Sequence, residues 1–229
     1  MPHAVEFDRL AVESHGPVTV LRMCHGENRL HPDLLDELEV ALDQVELAEG
    51  PGALVLTGTG TFFSNGLDLD HMSERPEMAE RTLARVHALL GRMLGLGLPT
   101  VAAINGHAFA AGAMLALTFD EAVMRADRGF FCLPEADLGL PFTPAMTALI
   151  TSRLSAPVAH RAMVTAKRYR ASDALAAGII TEVAPDDAVL DRAIARAQAL
   201  ATKPRHVIAA IKHGLYLETL DLLLGAAHD

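Results

Sequence analysis

Apolar residues along this chain follow two rhythms. Short apolar runs bounded by Gly, Pro, Asn or Asp read as strands: residues 4–10, 17–23, 53–57, 100–104, 121–126, 130–133 and 179–183. The turn residues Ser14, His15 and Gly16 make a hairpin of the first two. The wholly apolar runs 53–57 and 100–104 are of the kind buried on both faces. Between the strands, Leu and Ala recur at helical spacing over 31–47, 77–96, 110–118, 147–153, 157–165, 172–177, 188–201 and 204–224. Acidic residues open the 31–47 helix, and Gly97 with Pro99 closes the 77–96 helix. Segments 58–70 and 134–144 read as loops. Strands alternating with helices predict an α/β fold with a mostly parallel sheet.

Composition changes this picture only at the margins. With 51% hydrophobic residues, 4% aromatics and no Trp, the core must be built of Ala, Leu, Val and Met. A net charge of −10 argues against nucleic-acid binding. It leaves room for an anionic ligand held by a few local cations. The two cysteines, Cys24 and Cys132, have no C-x-x-C spacing and read as small buried residues of strands. The histidines show no metal-ligand spacing, so no metal is expected. The absence of a secretory h-region, of a membrane-length apolar run and of a peroxisomal tail makes a cytoplasmic protein with no membrane contact the expectation.

Three loops carry candidate chemistry. In residues 61–69, Gly66 permits a turn that could aim the N–H of Leu67 into a cavity, though an ordinary surface turn reads the same way. Gly58–Thr59–Gly60 is not a dinucleotide fingerprint, since no G-x-G-x-x-G opens a helix here. Residues 104–113 run from strand to tight turn to a helix start made only of tiny residues. Such a start lets a ligand approach free N–H groups, and equally lets a helix pack closely on a neighbour. In residues 131–142, Glu135 follows a rigid Pro in apolar sequence, where burial would raise its pKa and suit it to accepting and returning a proton. A lone loop Glu exposed to solvent is the plainer alternative.

Together these residues resemble the enoyl-CoA hydratase/isomerase, or crotonase, family. Phe63-Ser64-Asn65-Gly66-Leu67-Asp68-Leu69 resembles its F-[SA]-x-G-x-D-[LI] loop, and residues 99–108 resemble its KP-x-[IV]-A-A-[IV]-N-G-x-[AC] segment. Pro134-Glu135-Ala136-Asp137-Leu138-Gly139 resembles its PE-[IV]-x-[LI]-G motif, and residues 165–180 its TG-x-x-x-[ST]-A-x-E-A-x-x-x-GL-V stretch. The likeness runs from about Val5 to Lys212, after which many members continue further in helix.

The resemblance implies a crotonase (ClpP-like) spiral of ββα units over residues 1–200, with a short C-terminal helical segment over 201–229. It implies an acyl-CoA thioester as substrate, coenzyme A being part of that substrate and no cofactor being needed. It implies a homotrimer or a dimer of trimers. By motif position, the N–H groups of Leu67 and Ala111 form an oxyanion hole, and Glu135 is the acid/base. Asn65, Gly66, Asp68, Arg29, Met114 and Phe142 are expected to meet the CoA or acyl moiety. Asp68 and Asp120 also read as structural loop anchors, and His107 as locally packed. Met72, Met78, Met93, Met114 and Met146 could line an acyl tunnel or fill the core.

Where hydratases place a second Glu, this chain has Met114, which can neither donate nor accept the proton. The reading that follows is a Δ3,Δ2-enoyl-CoA isomerase of fatty-acid metabolism, close to the monofunctional isomerases. Two alternatives stay open: another crotonase activity such as a hydratase or thioester hydrolase, and a silent acyl-CoA binder.

Overall fold

The computed structural model describes residues 7–225 of the chain. A hairpin opens the fold, with β1 (Leu10–His15) antiparallel to β2 (Val18–Met23) across Gly16 and Pro17. The first strand therefore starts where the expected 4–10 strand ends, and residues 4–6 of that expectation lie outside the described residues. Asp8 and Arg9 are not paired as strand; their N–H groups donate to the Glu37 carboxylate instead. Cys24 follows β2 and is exposed, unlike the buried strand residue expected.

Helix α1 (Pro32–Leu47) is capped by the His31 ring, which accepts from Asp33 N, and Pro32 occupies its first turn where no N–H is missed. The chain then winds through three similar turns. In each, one strand joins a large sheet, the next joins a small sheet, and a helix follows. These are β3 (Ala53–Gly58), β4 (Phe62–Ser64), α2 (Leu69–Glu74) and α3 (Pro76–Gly95); then β5 (Thr100–Ile104), β6 (His107–Phe109) and α4 (Ala111–Leu117); then β7 (Glu121–Arg125), β8 (Phe131–Cys132) and α5 (Glu135–Leu138). The large sheet runs β1-β2-β3-β5-β7-β9 and the small one β4-β6-β8. Among the described residues, every pairing between these strands apart from the opening hairpin is parallel. This is the spiral of ββα units that the resemblance implies.

Helices α6 (Pro144–Arg153), α7 (Ala156–Thr165) and α8 (Ala171–Ala176) lead to β9 (Glu182–Ala184), α9 (Val189–Leu200) and α10 (Arg205–Gly225). The last strand is later than the expected 179–183. Ile179 and Ile180 are apolar but serve as core side chains in the connection.

The central strands are buried on both faces, as their unbroken apolar runs require. One face, with Val20, Val55, Val101 and Val123, packs on Ala193 and Ala197 of α9. The other, with Leu54, Leu56, Ala102 and Ile104, packs among Leu38 and Leu42 of α1 and Leu90 of α3. Small side chains on α9 allow its close approach to the sheet. At the sheet's far end, Asp120 accepts from Thr100 N at 2.8 Å and meets buried Lys212 of α10 at 2.9 Å, which makes it the structural anchor expected. Among the described residues, no helix is long and apolar enough to cross a membrane.

Candidate active site

The small sheet ends in three loops that meet at one cavity of about 550 Å³. The first is held by Asn28, which is buried. Its amide donates to Phe62 O at 2.9 Å, while its own carbonyl accepts from Ser64 Oγ at 2.7 Å. Gly66 stands at φ +82°, and its carbonyl accepts from Leu30 N at 2.8 Å. A trans peptide points its N–H opposite to its C=O. Anchoring the Gly66 carbonyl on Leu30 therefore turns the Leu67 N–H the other way.

The second loop repeats the device. Ala110 N–H donates to Cys132 O at 3.0 Å, and the Ala110 carbonyl accepts from Met114 N at 3.0 Å, the first bond of α4. The Ala111 N–H is thereby aimed out of the helix. Neither Leu67 N–H nor Ala111 N–H donates to any acceptor among the described residues. The two loops touch: a Cβ on Gly66 would come within 3.0 Å of Ala111 N. Gly112 lets α4 lie against β4, since a Cβ there would fall 2.3 Å from Ser64 O. Ala110 itself is at φ 51°, ψ −126°, a region natural to glycine and costly by about 1–3 kcal/mol for other residues.

The third loop is a short helix, α5, not the plain loop expected. Glu135 occupies its first turn after Pro134, and Gly139 closes it in the left-handed conformation. The Glu135 side chain is buried, and its Oε2 has no hydrogen-bond partner. Burial without an ion partner disfavours the charged form and pushes its pKa up to about 7. Glu135, Leu67 and Ala111 all line the same cavity, with Leu83, Leu140 and Met146 among the apolar walls.

The other expected residues divide. Asn65 and Arg29 line the cavity. Arg29, however, is engaged with three carboxylates, Glu27 at 2.9 Å, Asp68 at 3.6 Å and Asp70 at 2.5 Å, so little of its charge is left for a ligand phosphate. Gly66 and Asp68 do not line the cavity; Gly66 shapes the turn, while Asp68 caps α2 by accepting from His71 N. Met114 is corrected outright. It is fully buried in the core and does not reach the cavity, because α4 turns that position inward between sheet and helices. Phe142 is likewise off the lining and packs against the core, while its neighbour Thr143 takes the wall position. Of the methionines considered, Met72 and Met146 line the cavity, and Met93 and Met114 fill the core. His107 packs as expected, its ring among Phe62, Phe109 and Phe130.

Two features escaped sequence reasoning. Arg168 lines the cavity, lies over the Phe109 ring at 5.9 Å, and has no carboxylate partner among the described residues. Thr143 Oγ1 meets the buried His87 ring at 3.0 Å behind the wall, and burial lowers the His87 pKa. Both come from segments far apart in the chain, so no spacing signal joins them to the site. Burial pushes the Cys132 thiol at the cavity wall up to about 11, which favours its protonated form. Among the described residues no cluster of metal-ligating side chains occurs.

Comparison with known proteins gives a consistent result. Residues 15–223 match the family described as enoyl-CoA hydratase/isomerase. The enoyl-CoA delta isomerase 3 of Arabidopsis thaliana is 34% identical over 221 residues, covering 90% of this chain and 92% of the relative. The 2,3-dehydroadipyl-CoA hydratase of Escherichia coli is 30% identical over 188 residues, covering 82% of this chain and 71% of the relative. Among solved structures, human mitochondrial delta3-delta2-enoyl-CoA isomerase superposes with a TM-score of 0.87 at 27% identity, covering 95% of this chain and 87% of that one.

Proposed function

Since this chain belongs to the enoyl-CoA hydratase/isomerase family, we propose that it is a Δ3,Δ2-enoyl-CoA isomerase with Glu135 as its single acid/base. The observation that carries this reading is one buried carboxyl, with an oxygen that has no hydrogen-bond partner, sharing a cavity with two unclaimed backbone N–H groups.

The chemistry follows from those parts. The ionised Glu135 carboxylate takes a proton from C2 of a 3-enoyl thioester. The electron pair delocalises into a dienolate whose negative charge gathers on the thioester oxygen. The Leu67 and Ala111 N–H groups donate to that oxygen, and one such donor typically contributes about 3 kcal/mol. Glu135 then returns the proton to C4, leaving the trans-2-enoyl thioester. A carboxyl near pH 7 in pKa is matched to both halves of this transfer.

Adding water instead calls for a second group to hold and activate it. The cavity's other carboxylate, Asp70, is bound to Arg29, and the position of the hydratases' further Glu is Met114, sealed in the core. The same proposal includes CoA as a part of the substrate with no separate cofactor, a trimer or dimer of trimers, and a cytoplasmic place in fatty-acid metabolism.

The test is conversion of trans-3-hexenoyl-CoA to the conjugated thioester, set beside hydration of crotonyl-CoA by the same protein. Isomerisation without hydration supports the reading. Hydration at a comparable rate would sink it, and binding of hexanoyl-CoA with no turnover of any enoyl-CoA would identify a silent binder.

A further inference from the structure

Ala110 is held in a conformation where glycine is the strain-free choice, by its bonds to Cys132 O and Met114 N. An alanine kept there needs a reason beyond the turn itself. Its methyl is not core filling: the residue is half-buried and lines the cavity beside Ala111 and Leu67. The methyl also meets the facing loop, because a Cβ on Gly66 would come within 2.9 Å of it. It therefore sits at the seam between the two loops whose N–H groups are free.

Covalent geometry decides what a ligand would feel there. Ala110 Cβ and Ala111 N are three bonds apart, so they lie within ~4 Å of each other whatever the torsion. An oxygen accepting from Ala111 N–H lies ~2.9 Å from that nitrogen. Its carbonyl carbon and C2 are one and two bonds further on, in the cavity that Ala110 lines beside Ala111 and Leu67.

We propose that the Ala110 methyl is a steric gate admitting acyl thioesters unbranched at C2 and rejecting their 2-methyl counterparts. The gate rests on the reading above, in that the thioester oxygen is seated between Leu67 and Ala111. Ala110 is a specificity-determining residue, and Ala110→Gly removes the methyl while keeping a backbone that suits the position.

The experiment is calorimetric binding of hexanoyl-CoA and 2-methylhexanoyl-CoA to the wild type and to Ala110→Gly. The readout is the ratio of the two dissociation constants, which a general loosening of the site leaves unmoved. The wild type should prefer the linear ligand by a factor within the ~10–200-fold range set by one extra carbon in a tight pocket, and Ala110→Gly should cut that preference by about tenfold. An unchanged ratio, or no preference in the wild type, overturns the gate. If the ratio shifts as expected but trans-3-hexenoyl-CoA is never isomerised, the reaction assignment fails and the gate stands. If isomerisation proceeds with the ratio unmoved, the gate alone fails, and no binding of hexanoyl-CoA overturns both.

Discussion

Replacing Glu135 by Gln should make the protein inactive and, at alkaline pH, more stable. The carboxyl is buried with Oε2 unpartnered, and burial lifts its pKa from 4.5 to about 7. The unfolded chain releases this proton near 4.5, while the folded protein keeps it until about 7. Between those values the folded state binds more protons, so wild-type stability falls as pH rises and levels off above about 7. At 1.36 kcal/mol per pKa unit, the destabilisation is below about 1 kcal/mol at pH 5 and about 3 kcal/mol at pH 8. Gln has nearly the same shape and no charge, so the stability of Glu135→Gln relative to wild type should rise by roughly 2 kcal/mol between those two pH values. Urea unfolding of both proteins at pH 5 and pH 8 measures it. Isomerase turnover should fall by ~10²–10⁴-fold in the same variant, the usual worth of a positioned general base. Parallel pH–stability curves for the two proteins would refute the claim that this carboxyl is held unpaired in an apolar wall.

Three further outcomes are expected. The isomerisation kcat/KM should rise with pH and reach a plateau above about 7, since only the ionised Glu135 can take the C2 proton; a profile flat through neutrality would exclude Glu135 as the base. Gly112→Ala should unfold the protein or lose several kcal/mol in denaturant titration, because its Cβ would meet the rigid Ser64 carbonyl at 2.3 Å; a cost under about 1 kcal/mol would contradict this packing. Asp120→Ala should cost about 3–5 kcal/mol by leaving the buried Lys212 ammonium without its anion, and differential scanning calorimetry showing an unchanged Tm would mean the pair does not fasten α10 to the sheet.

Element type was legible wherever side-chain period and burial agree. The short apolar runs that became β3 and β5 suit strands of a doubly covered sheet, and the leucine spacing of α1 suits a helix with one wet face. The same local logic failed at the margins. At residues 4–10 and 179–183 the apolar residues suit a strand, yet pairing partners were offered only to Leu10–His15 and Glu182–Ala184. Strand pairing is a property of two segments, and one segment's period cannot supply it.

The candidate site divides in the same way. Glu135, Leu67 and Ala111 were named from residue types and motif positions, because a Pro-led carboxyl, a turn glycine and a run of tiny residues are local features. What the residues around them do depended on the fold. Met114 is sealed in the core because α4 turns it inward, and Arg29 is neutralised because β2, the β4 loop and α2 bring three carboxylates to it. Arg168 joins the cavity only through the return of the chain beside β8. The glycine-like torsion of Ala110 carries no local signal in an alanine; it is imposed by bonds to Cys132 and Met114. The chain by itself determined which atoms are available for proton transfer and hydrogen bonding, since those are fixed by side-chain chemistry and local turns. Only the tertiary structure decided which of them are desolvated, which are already spent on one another, and which share a cavity, since burial and pairing depend on segments distant in the chain.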